Sequence, residues 1–443
     1  MFQTIKNAFL DPSIRKKLLI TIALLLVYRI GCFIPLPGLN FEVFSGTWSD
    51  SNNLLSMLNT ITGGSLENGT IFALGIIPFI NASIIMQLLT LVIPKLERLS
   101  KEGEEGRKKL NQLSRIMSIV LAIVQAIGIT ISWNNSGVIY QVFGNSTASL
   151  VFTIMFMIII LTGGSSFVMW LGERITEYGV GNGTSLLIFV GILASLGGDL
   201  WNAMFNVIPE QGKNGNYEGI WYLFGFLLIL FLLFILIVFI DSSERRIPVQ
   251  YAKRVKGNKM YGGQATYIPI KVNNGGVMPI IFASSLVMFP QMIMQFADPN
   301  VTSGFVRWWY TWLGVGGHLY GLVLFILIIF FAFFYAQIQF NPDDIARMLR
   351  ENGGMIQGIR AGKPTSDHLR KINNRITLFG AIYLGFVALI PVYLLGEIPG
   401  FSEIGLNNAF TATGLLILVS VALEFDQQLQ SQLMIKNNRG FLR

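Results

Sequence analysis

The sequence predicts an all-α polytopic membrane protein, and two observations carry this prediction. Of its 443 residues, 52% are hydrophobic and only 13% are charged, whereas soluble globular chains are roughly a quarter charged. The apolar residues are gathered into long segments, and about 20 residues are enough to cross a bilayer as a helix. This composition excludes a soluble enzyme or a nucleic-acid-binding module as the whole protein. It also excludes disorder, because the chain carries too much apolar surface to stay solvated.

Ten apolar segments qualify as transmembrane spans. They cover roughly 18–36, 71–93, 116–133, 150–171, 181–198, 219–240, 273–296, 319–340, 376–395 and 406–423. The preceding segment Met1–Lys17 is short and polar and is followed by no small-residue cleavage pattern. We therefore expect no signal peptide and a first span that is retained in the membrane.

Basic residues are confined to one side of the predicted membrane. The six segments that ten spans place on one face hold 29 of the 32 Lys and Arg residues, and the opposite loops hold only Lys213 and Arg307. By the positive-inside rule the basic face is cytoplasmic, with both termini on that face. A wrong number of spans would scramble this separation, so the count and the orientation support each other.

The ten spans divide into two halves of five. Because five is odd, structural repeats in the two halves have to be inverted relative to each other. We expect an N-terminal half over residues 1–180, a fifth span with an outer hinge loop over 181–218, and a C-terminal half over 219–443.

The second apolar region is broken by glycines. Gly63, Gly64 and Gly75, with Pro78, separate a short apolar piece at about 54–66 from a full span. A piece that is too short to cross must fold back within the protein or line a cavity. Two interpretations follow: a re-entrant element that closes a pore, or an amphipathic turn on the outer surface.

Charged and metal-binding side chains are scarce in the spans. Arg29 is the one clearly intramembrane charge, which predicts either a residue snorkelling or packed on backbone carbonyls, or a substrate-binding residue. The single Cys32 and the two histidines, His318 and His368, leave little room for a disulfide or a metal centre. We expect no cofactor, no metal and no catalysis. The lack of charges also disfavours an ion-coupled transporter.

Two basic loops project from the basic face. The loop 241–272 carries seven basic and two acidic residues, and its β-like runs Ile247–Ala252 and Thr266–Val272 predict a protruding hairpin. Basic residues far from the spans, such as Arg254 and Arg360, exceed what topology signalling needs. They predict docking of a large anionic partner, such as ribosomal RNA or an acidic protein face. Anionic lipid is the next interpretation.

Four stretches carry a family resemblance. They are Gly75–Ile84, Met169–Gly183, Tyr251–Arg254 with Lys271–Pro279, and Gly358–Arg360. In composition and order along the chain they are similar to the SecY family, the channel subunits of the bacterial protein-conducting translocase. One departure is that the family usually flanks the matching arginine with prolines, whereas Gln357 and Ala361 occupy those places here.

The resemblance implies an hourglass-shaped pore between the two halves. A ring of six mostly aliphatic side chains closes the waist of such a pore. The matching residues are Ile80, Ile84, Ile188, Ile192, Ile281 and Ile417. A narrow aliphatic ring excludes water and ions by dewetting, yet it forms no side-chain-specific bond with a sliding polypeptide. Without the resemblance, each isoleucine would be interpreted as ordinary packing between spans.

The resemblance also assigns a plug, a lateral gate and a partner surface. The implied plug covers about 55–65, with residues Leu55, Leu58, Ile61, Gly63 and Gly64. The implied lateral gate lies where the second and third spans face the seventh and eighth, with residues Gln87, Ser284 and Ser285. The implied contacts for a motor and a ribosome are Arg245, Arg246, Lys253, Arg254 and Arg360.

The implied function is a channel that moves unfolded secretory proteins across the bacterial cytoplasmic membrane and membrane proteins laterally into it. The implied partners are the SecE and SecG subunits, the SecA ATPase, the ribosome and precursors with signal sequences, with anionic lipid around them. Energy would come from these partners, since the chain has no phosphate-binding loop. The other hypothesis is a small-solute transporter with a neutral binding site, which a saturable solute flux would favour.

Overall fold

The fold is described from a computed structural model. It describes residues 2–40, 59, 62–140, 147–209, 218–251, 254–256, 259–261, 265–294, 304–313, 317, 319–390 and 412–440. The helices in these ranges are α1 (Phe2–Leu10), α2 (Pro12–Gly31), α3 (Ile77–Val92), α4 (Pro94–Lys101), α5 (Glu104–Asn135), α6 (Thr147–Tyr178), α7 (Gly183–Asn202, continued by a π turn over Ala203–Val207), α8 (Glu218–Asp241), α9 (Met278–Met294), α10 (Gly304–Trp312), α11 (Tyr320–Gln339), α12 (Pro342–Glu351), α13 (Lys363–Ile390) and α14 (Ala412–Gly440). The strands are β1 (Glu244–Tyr251), β2 (Arg254–Lys256), β3 (Lys259–Tyr261), β4 (Ala265–Lys271) and β5 (Gly354–Ile356).

Each of the ten predicted spans overlaps one helix. In the described ranges, six helical segments are long and apolar enough to cross a membrane, namely α5, α6, α7, α8, α11 with α12, and α13. The pair α3 and α4, bent by 102° at Ile93, makes a seventh candidate. The remaining three predicted spans fall on α2 and α14, which carry charged ends, and on α9, whose apolar part is short. The chain is therefore an all-α, multi-pass membrane protein.

Two predicted spans begin or end at the wrong residue. The first was expected to reach residue 36, but α2 ends at Gly31, because Pro35 lies just beyond and disfavours helix in the residue before it. The second was expected from residue 71, but α3 begins at Ile77. Gly75 takes a left-handed conformation with φ +53°, and Pro78 then starts the helix, where its missing N–H costs nothing.

The helices of the two halves pack in the same order. In the N-terminal half, α3 packs on α5, α5 on α6, α6 on α7, and α2 on α7. In the C-terminal half, α9 packs on α11, α11 on α13, α13 on α14, and α8 on α14. The second series repeats the first when each helix is matched with the one five spans later. This pattern supports the expected structural repeat.

The halves meet along two seams. On one seam α7 packs on α14, which joins the fifth span to the tenth. On the other seam α9 contacts both α3 and α5, which joins the seventh span to the second and third. Each half keeps apolar packing of its own, as in the edge-to-face contact of Phe282 with Phe331 at 5.6 Å between ring centroids.

The two projecting loops form one small unit, which we call the sheet domain (β1, β4, β5 and α12). Strands β1 and β4 pair antiparallel from Glu244 opposite Lys271 to Gln250 opposite Ala265, so the predicted hairpin is confirmed. Strand β5, from the second loop, pairs with the other edge of β1, an association that the sequence did not predict. The buried core of this domain consists of Ile247, Val249, Ile270, Phe340, Leu349, Ile356 and Leu369.

Candidate functional site

Four helices bring the six predicted ring residues together. They come from α3 (Ile80, Ile84), α7 (Ile188, Ile192), α9 (Ile281) and α14 (Ile417). One buried core contains the α7 pair and the α14 residue, with Ile80 and Ile281 packed against it. The adjoining core contains Ile84, and Ile80 and Ile281 pack against that core as well. The two cores thus meet at these two isoleucines.

The spacing within α3 and α7 explains why these isoleucines converge. Residues four apart lie on the same face of a helix, so each helix presents a pair. The start of α7 is fixed by Asn182, whose side chain accepts a hydrogen bond from the Thr184 N–H at 3.1 Å. Close packing of α7 on α6 adds to this, because a Cβ at Gly183 would lie 1.9 Å from the Gly172 carbonyl oxygen.

Four of the six ring residues are buried in this structure. Ile84, Ile188 and Ile417 are each 4% exposed, and Ile192 is 2% exposed, whereas Ile80 and Ile281 are half-buried. Burial of an isoleucine side chain is worth about 1.5–3 kcal/mol, so separating these residues costs free energy. An aliphatic constriction of this kind can block ions without any charged gate.

Part of the predicted plug can be described. Leu55, Leu58 and Ile61 lie outside the described residues. Gly63 and Gly64 lie within them and take left-handed conformations, with φ +69° and +84°. Such angles are strained for any residue with a Cβ, which is why the break before α3 needs glycines.

Gly63 contacts α7 next to one of the ring residues. A Cβ on it would be 2.8 Å from the Cα of Gly191, the residue just before Ile192 of α7. The backbones of the two glycines therefore touch.

Arg29 of α2 contacts this same glycine. Its Nη1 donates a hydrogen bond of 2.7 Å to the Gly63 carbonyl oxygen, and its guanidinium lies 4.9 Å from the centre of the Phe33 ring. This geometry agrees with a residue packed on a backbone carbonyl, one of the two interpretations from the sequence. The contact itself was missed, because a side-chain bond to a backbone atom leaves no signal in the sequence.

The predicted lateral gate corresponds to the seam between α9 and the pair α3 and α5. Ser284 is buried, and its hydroxyl donates to the Ile281 carbonyl of its own helix at 3.0 Å. Gln87 and Ser285 are half-buried, and no hydrogen bond joins Gln87 to either serine in the described part of the chain. The predicted residues therefore belong to helices that meet at this seam, and no hydrogen bond between them joins its two sides within the described residues.

Two amides in the same helices were missed from the sequence. Asn81 of α3 and Gln125 of α5 are 6% and 7% exposed, and within the described residues their Oδ1 and Nε2 atoms have no hydrogen-bond partner. Unpaired buried polar atoms cost free energy, so they weaken the packing around these two helices. The sequence could have indicated both residues, since each is a polar amide within a long uncharged segment.

The predicted partner-contact residues that the structure describes lie on β1, on β2 and in the loop after β5. Arg245, Arg246 and Arg360 are exposed, and Arg254 belongs to β2, which pairs with β3. Lys253 lies outside the described residues. Arg245 and Arg246 therefore lie on the sheet domain, Arg254 lies on the separate pair of strands β2 and β3, and Arg360 lies in the loop after β5.

The arginines differ in how well their charge is compensated. Arg246 Nε donates to Glu244 Oε1 at 2.7 Å, and its guanidinium lies 4.8 Å from the Tyr267 ring centre. The hydrogen bond to Glu244 raises the pKa of Arg246 above its usual value. No ion pair involves Arg245 or Arg360 in the residues that the structure describes, so these two present the less compensated charge.

The loop around Arg360 is shaped by its glycines. Gly358 and Gly362 have φ +81° and +104°, and Thr365 Oγ1 donates to the Arg360 carbonyl at 2.8 Å. This bond and the two left-handed turns fix the loop where prolines were expected.

A half-buried carboxylate ties the sheet domain to the helices. Asp241, at the end of α8, accepts hydrogen bonds from Asn273 Nδ2 at 2.7 Å and from the Ser420 hydroxyl of α14. Asn273 follows β4 directly, so the base of the hairpin is anchored to two spans. Within the described ranges, no group of three His, Cys, Asp or Glu side chains could hold a metal ion.

Comparison with known proteins gives one family. The SecY family model matches residues 70–425. The protein translocase subunit SecY of Streptomyces griseus is 43% identical over 451 residues, with 100% of both chains covered. The same subunit of Mycobacterium tuberculosis (strain ATCC 25618 / H37Rv) is 41% identical, with 97% of each chain covered.

Solved structures give the same fold. A structure described as that of a protein conducting channel matches with a TM-score of 0.64 and 21% identity, over 95% of this chain and 93% of that one. Sec61 in the canine ribosome-channel complex matches with a TM-score of 0.61 and 20% identity, over the same shares.

Proposed function

Because this chain belongs to the SecY family and is a protein-conducting channel of the translocase, we propose the parts that its own residues play. The channel moves unfolded secretory proteins across the bacterial cytoplasmic membrane and releases membrane proteins sideways into it. Both termini face the cytoplasm, as the one-sided placement of basic residues indicates. The observation that carries the proposal is the convergence of isoleucines from four helices at the junction of two cores.

The isoleucine ring is the seal around the moving chain. Its side chains are aliphatic and flexible, so they close on each other at rest and on any backbone that passes. They offer no hydrogen bond or charge, so no particular sequence is held. This chemistry suits a passage for arbitrary polypeptides, and a small-solute transporter has no comparable support.

The two halves open around the ring. Residues 1–180 together with the fifth span form one moving half and residues 219–443 form the other, and the outer loop that follows the fifth span connects them as the hinge. The seam of α9 with α3 and α5 is the lateral gate, with Gln87, Ser284 and Ser285 along it. The plug, about 55–65, closes the outer side of the ring, as the contact of Gly63 with Gly191 suggests.

A signal sequence opens the gate by shifting an equilibrium. Its apolar segment of about 7–15 residues leaves water for the seam, which is worth about 25 cal/mol per Å² of apolar surface. In the described part of the chain no hydrogen bond joins Gln87 to Ser284 or Ser285, so no polar clasp between these residues has to be broken when the seam opens. Burial of the signal sequence therefore biases the halves toward the open state.

The sheet domain receives the partners that supply energy. Its exposed arginines fit the SecA ATPase and the ribosome, and ribosome binding is supported by the canine Sec61 complex. The SecE and SecG subunits complete the assembly within the membrane, and anionic lipid surrounds the basic face.

The test is contact between a stalled precursor and the ring. A Cys32→Ser background removes the single native cysteine, and Ile84→Cys or Ile281→Cys then introduces one thiol at the ring. Ile326→Cys in α11 and Ile159→Cys in α6 are matched controls, because these isoleucines are 55% and 66% exposed on the outer surface.

We expect crosslinks to the precursor at both ring positions and none at the controls. Crosslinks at all four positions would indicate nonspecific contact. With a competent precursor and motor present, absence of crosslinks at Ile84 and Ile281 would overturn the ring assignment.

A further inference from the structure

We propose that Arg29 is a positioning residue that latches the plug in its closed position. This inference rests on the proposed function, since it assumes that the segment ending at Gly64 is the plug. Its basis is the 2.7 Å hydrogen bond from Arg29 Nη1 to the Gly63 carbonyl oxygen. That bond joins the first span to the last turn of the plug, immediately outside the ring.

Arg29 is held ready for this bond by its own helix. Its guanidinium is 4.9 Å from the ring centre of Phe33, one turn further along the chain, so cation–π attraction restricts its direction. Its neighbour Tyr28 is 2% exposed and donates to the Thr62 carbonyl at 3.4 Å. Two successive carbonyls of the plug end, Thr62 and Gly63, thus receive donors from two successive residues of the first span.

Gly63 also packs against the fifth span. A Cβ on Gly63 would be 2.8 Å from Gly191 Cα, 3.0 Å from its carbonyl oxygen and 3.1 Å from Arg29 Nη1. Gly63 is therefore in close contact with both the guanidinium and the backbone of α7, and no side chain fits at this position. The chain can leave this position only by breaking the bond to Arg29.

The charge makes this contact stronger than an ordinary hydrogen bond. Hydrogen bonds with one ionised partner are roughly twice as strong as neutral ones, and arginine stays protonated in proteins. Whenever the plug moves away, the guanidinium needs a new partner in a largely apolar surrounding. Water entering the outer vestibule can supply it, so displacement of the plug and wetting of the vestibule are coupled through Arg29.

The bond between Arg29 and Gly63 sets how much binding energy a signal sequence must supply to open the channel. A signal sequence that binds the gate has to supply the energy of unlatching in addition to that of separating the halves. Loss of Arg29 would therefore let a weaker signal sequence open the channel. It would also raise ion leakage through the resting channel.

The native Cys32 reports on the state of the latch. It lies one turn from Arg29, is 1% exposed, and shares a buried core with Tyr28, whose hydroxyl donates to the Thr62 carbonyl of the plug end. Displacement of the plug uncovers this thiol, so its rate of alkylation measures the open fraction without any added cysteine.

The experiment compares Arg29→Met, Arg29→Lys and the native channel, each as the full chain reconstituted in vesicles. Arg174→Met is the matched control, because this exposed arginine pairs with Glu177 at 2.7 Å. The readouts are maleimide alkylation of Cys32, resting ion conductance, and export of a precursor with a shortened apolar segment. For Arg29→Met we expect about a tenfold rise in alkylation, which corresponds to about 1.4 kcal/mol.

We expect conductance and export of the weak precursor to rise in parallel, with Arg29→Lys between the native channel and Arg29→Met. In Arg29→Met the Cys32 thiol loses a neighbouring positive charge, which by itself makes a thiol less reactive. A rise in alkylation would therefore report greater exposure of Cys32. Unchanged alkylation and conductance in Arg29→Met would overturn the latch.

A second variant keeps the test independent of folding defects at Arg29. Gly63→Ala displaces the carbonyl directly, since alanine is strained at φ +69° and meets the Gly191 backbone. In that background Arg29→Met should add little, because both changes break one contact. Full additivity of the two effects would contradict the latch.

The same variant separates the two assumptions. If Gly63→Ala raises conductance but Arg29→Met does not, the plug is correct and the latch is wrong. If neither variant changes conductance or Cys32 alkylation, the plug assignment fails and the latch fails with it.

Discussion

The isoleucine ring and the sheet domain use opposite chemistry at two levels of one molecule. The ring is aliphatic and buried, with Ile192 only 2% exposed. The sheet domain has a small apolar core of its own and exposes Arg245, and the loop after β5 exposes Arg360; neither arginine forms an ion pair within the described residues. The ring offers no polar or charged group that could recognise the sequence of a passing chain. The sheet domain offers positive charge on a folded surface.

The difference separates selection from passage. A partner can be chosen at the sheet domain by electrostatics that act over about 8–10 Å at physiological salt. The passing chain then meets only surfaces that are indifferent to its sequence. Variants that change either resting ion conductance or motor binding, but not both, would support this division. Variants that change both would contradict it.

The largest effect is expected from a polar residue in the ring. Ile192→Asn places an amide without a partner at a buried site, which costs about 1–3 kcal/mol and invites water. Resting ion conductance should rise about tenfold or more, because a shift of about 1.4 kcal/mol in the closed–open equilibrium changes the open fraction tenfold. Motor binding should stay unchanged. Ile192→Leu keeps the aliphatic surface and should remain tight; an equal leak in both variants would contradict the dewetting mechanism.

The next effect is expected from the core of the sheet domain. Leu369 is fully buried against the sheet, and Leu369→Ala should destabilise this domain by about 2–5 kcal/mol. Motor-driven translocation should fall while resting conductance stays at the native level. Leu378→Ala on the same helix, at a position 47% exposed, is the control. A leak in Leu369→Ala would show that the seal depends on the sheet domain.

A smaller effect is expected from single surface charges. Arg360→Glu should weaken motor binding and motor-driven export and flatten their dependence on salt. Arg246→Glu should act less, since Glu244 already compensates that charge. Titration of motor binding against salt measures both. Normal translocation by Arg360→Glu would remove this residue from the partner surface.

The smallest effect is expected from the backbone of the Arg360 loop. Gly358→Ala meets no neighbouring atom within 4 Å, so only its φ of +81° is strained, by roughly 1–2 kcal/mol. Motor binding should weaken less than in Arg360→Glu. Equal loss in the two variants would mean that loop shape matters as much as charge.

Much of the fold could be predicted from the sequence, because the membrane imposes simple rules. The multi-pass helical class follows from hydropathy, and the hairpin at Ile247 follows from alternation. The pairing of β5 with β1 could not be predicted, since Gly354–Ile356 is only three residues long and lies about a hundred positions away. Exact helix ends were set by local features, such as Pro35 after α2.

The candidate site was predictable only in part. Isoleucines in a span look the same whether they line a ring or pack a core, so the ring came from the family resemblance. The Gly63 contact of Arg29 and the unpaired amides of Asn81 and Gln125 depend on which helices meet. Sequence spacing within one helix carries no such information.

The pairing of β1 with β4 has a consequence for chain connectivity. Seven residue pairs hold the two strands together from Glu244–Lys271 to Gln250–Ala265, and β5 adds a third strand. A break in the chain between Lys256 and Lys259 therefore leaves these strand pairs intact. A channel produced as two polypeptides that divide at this break should still find its register and assemble as one pore.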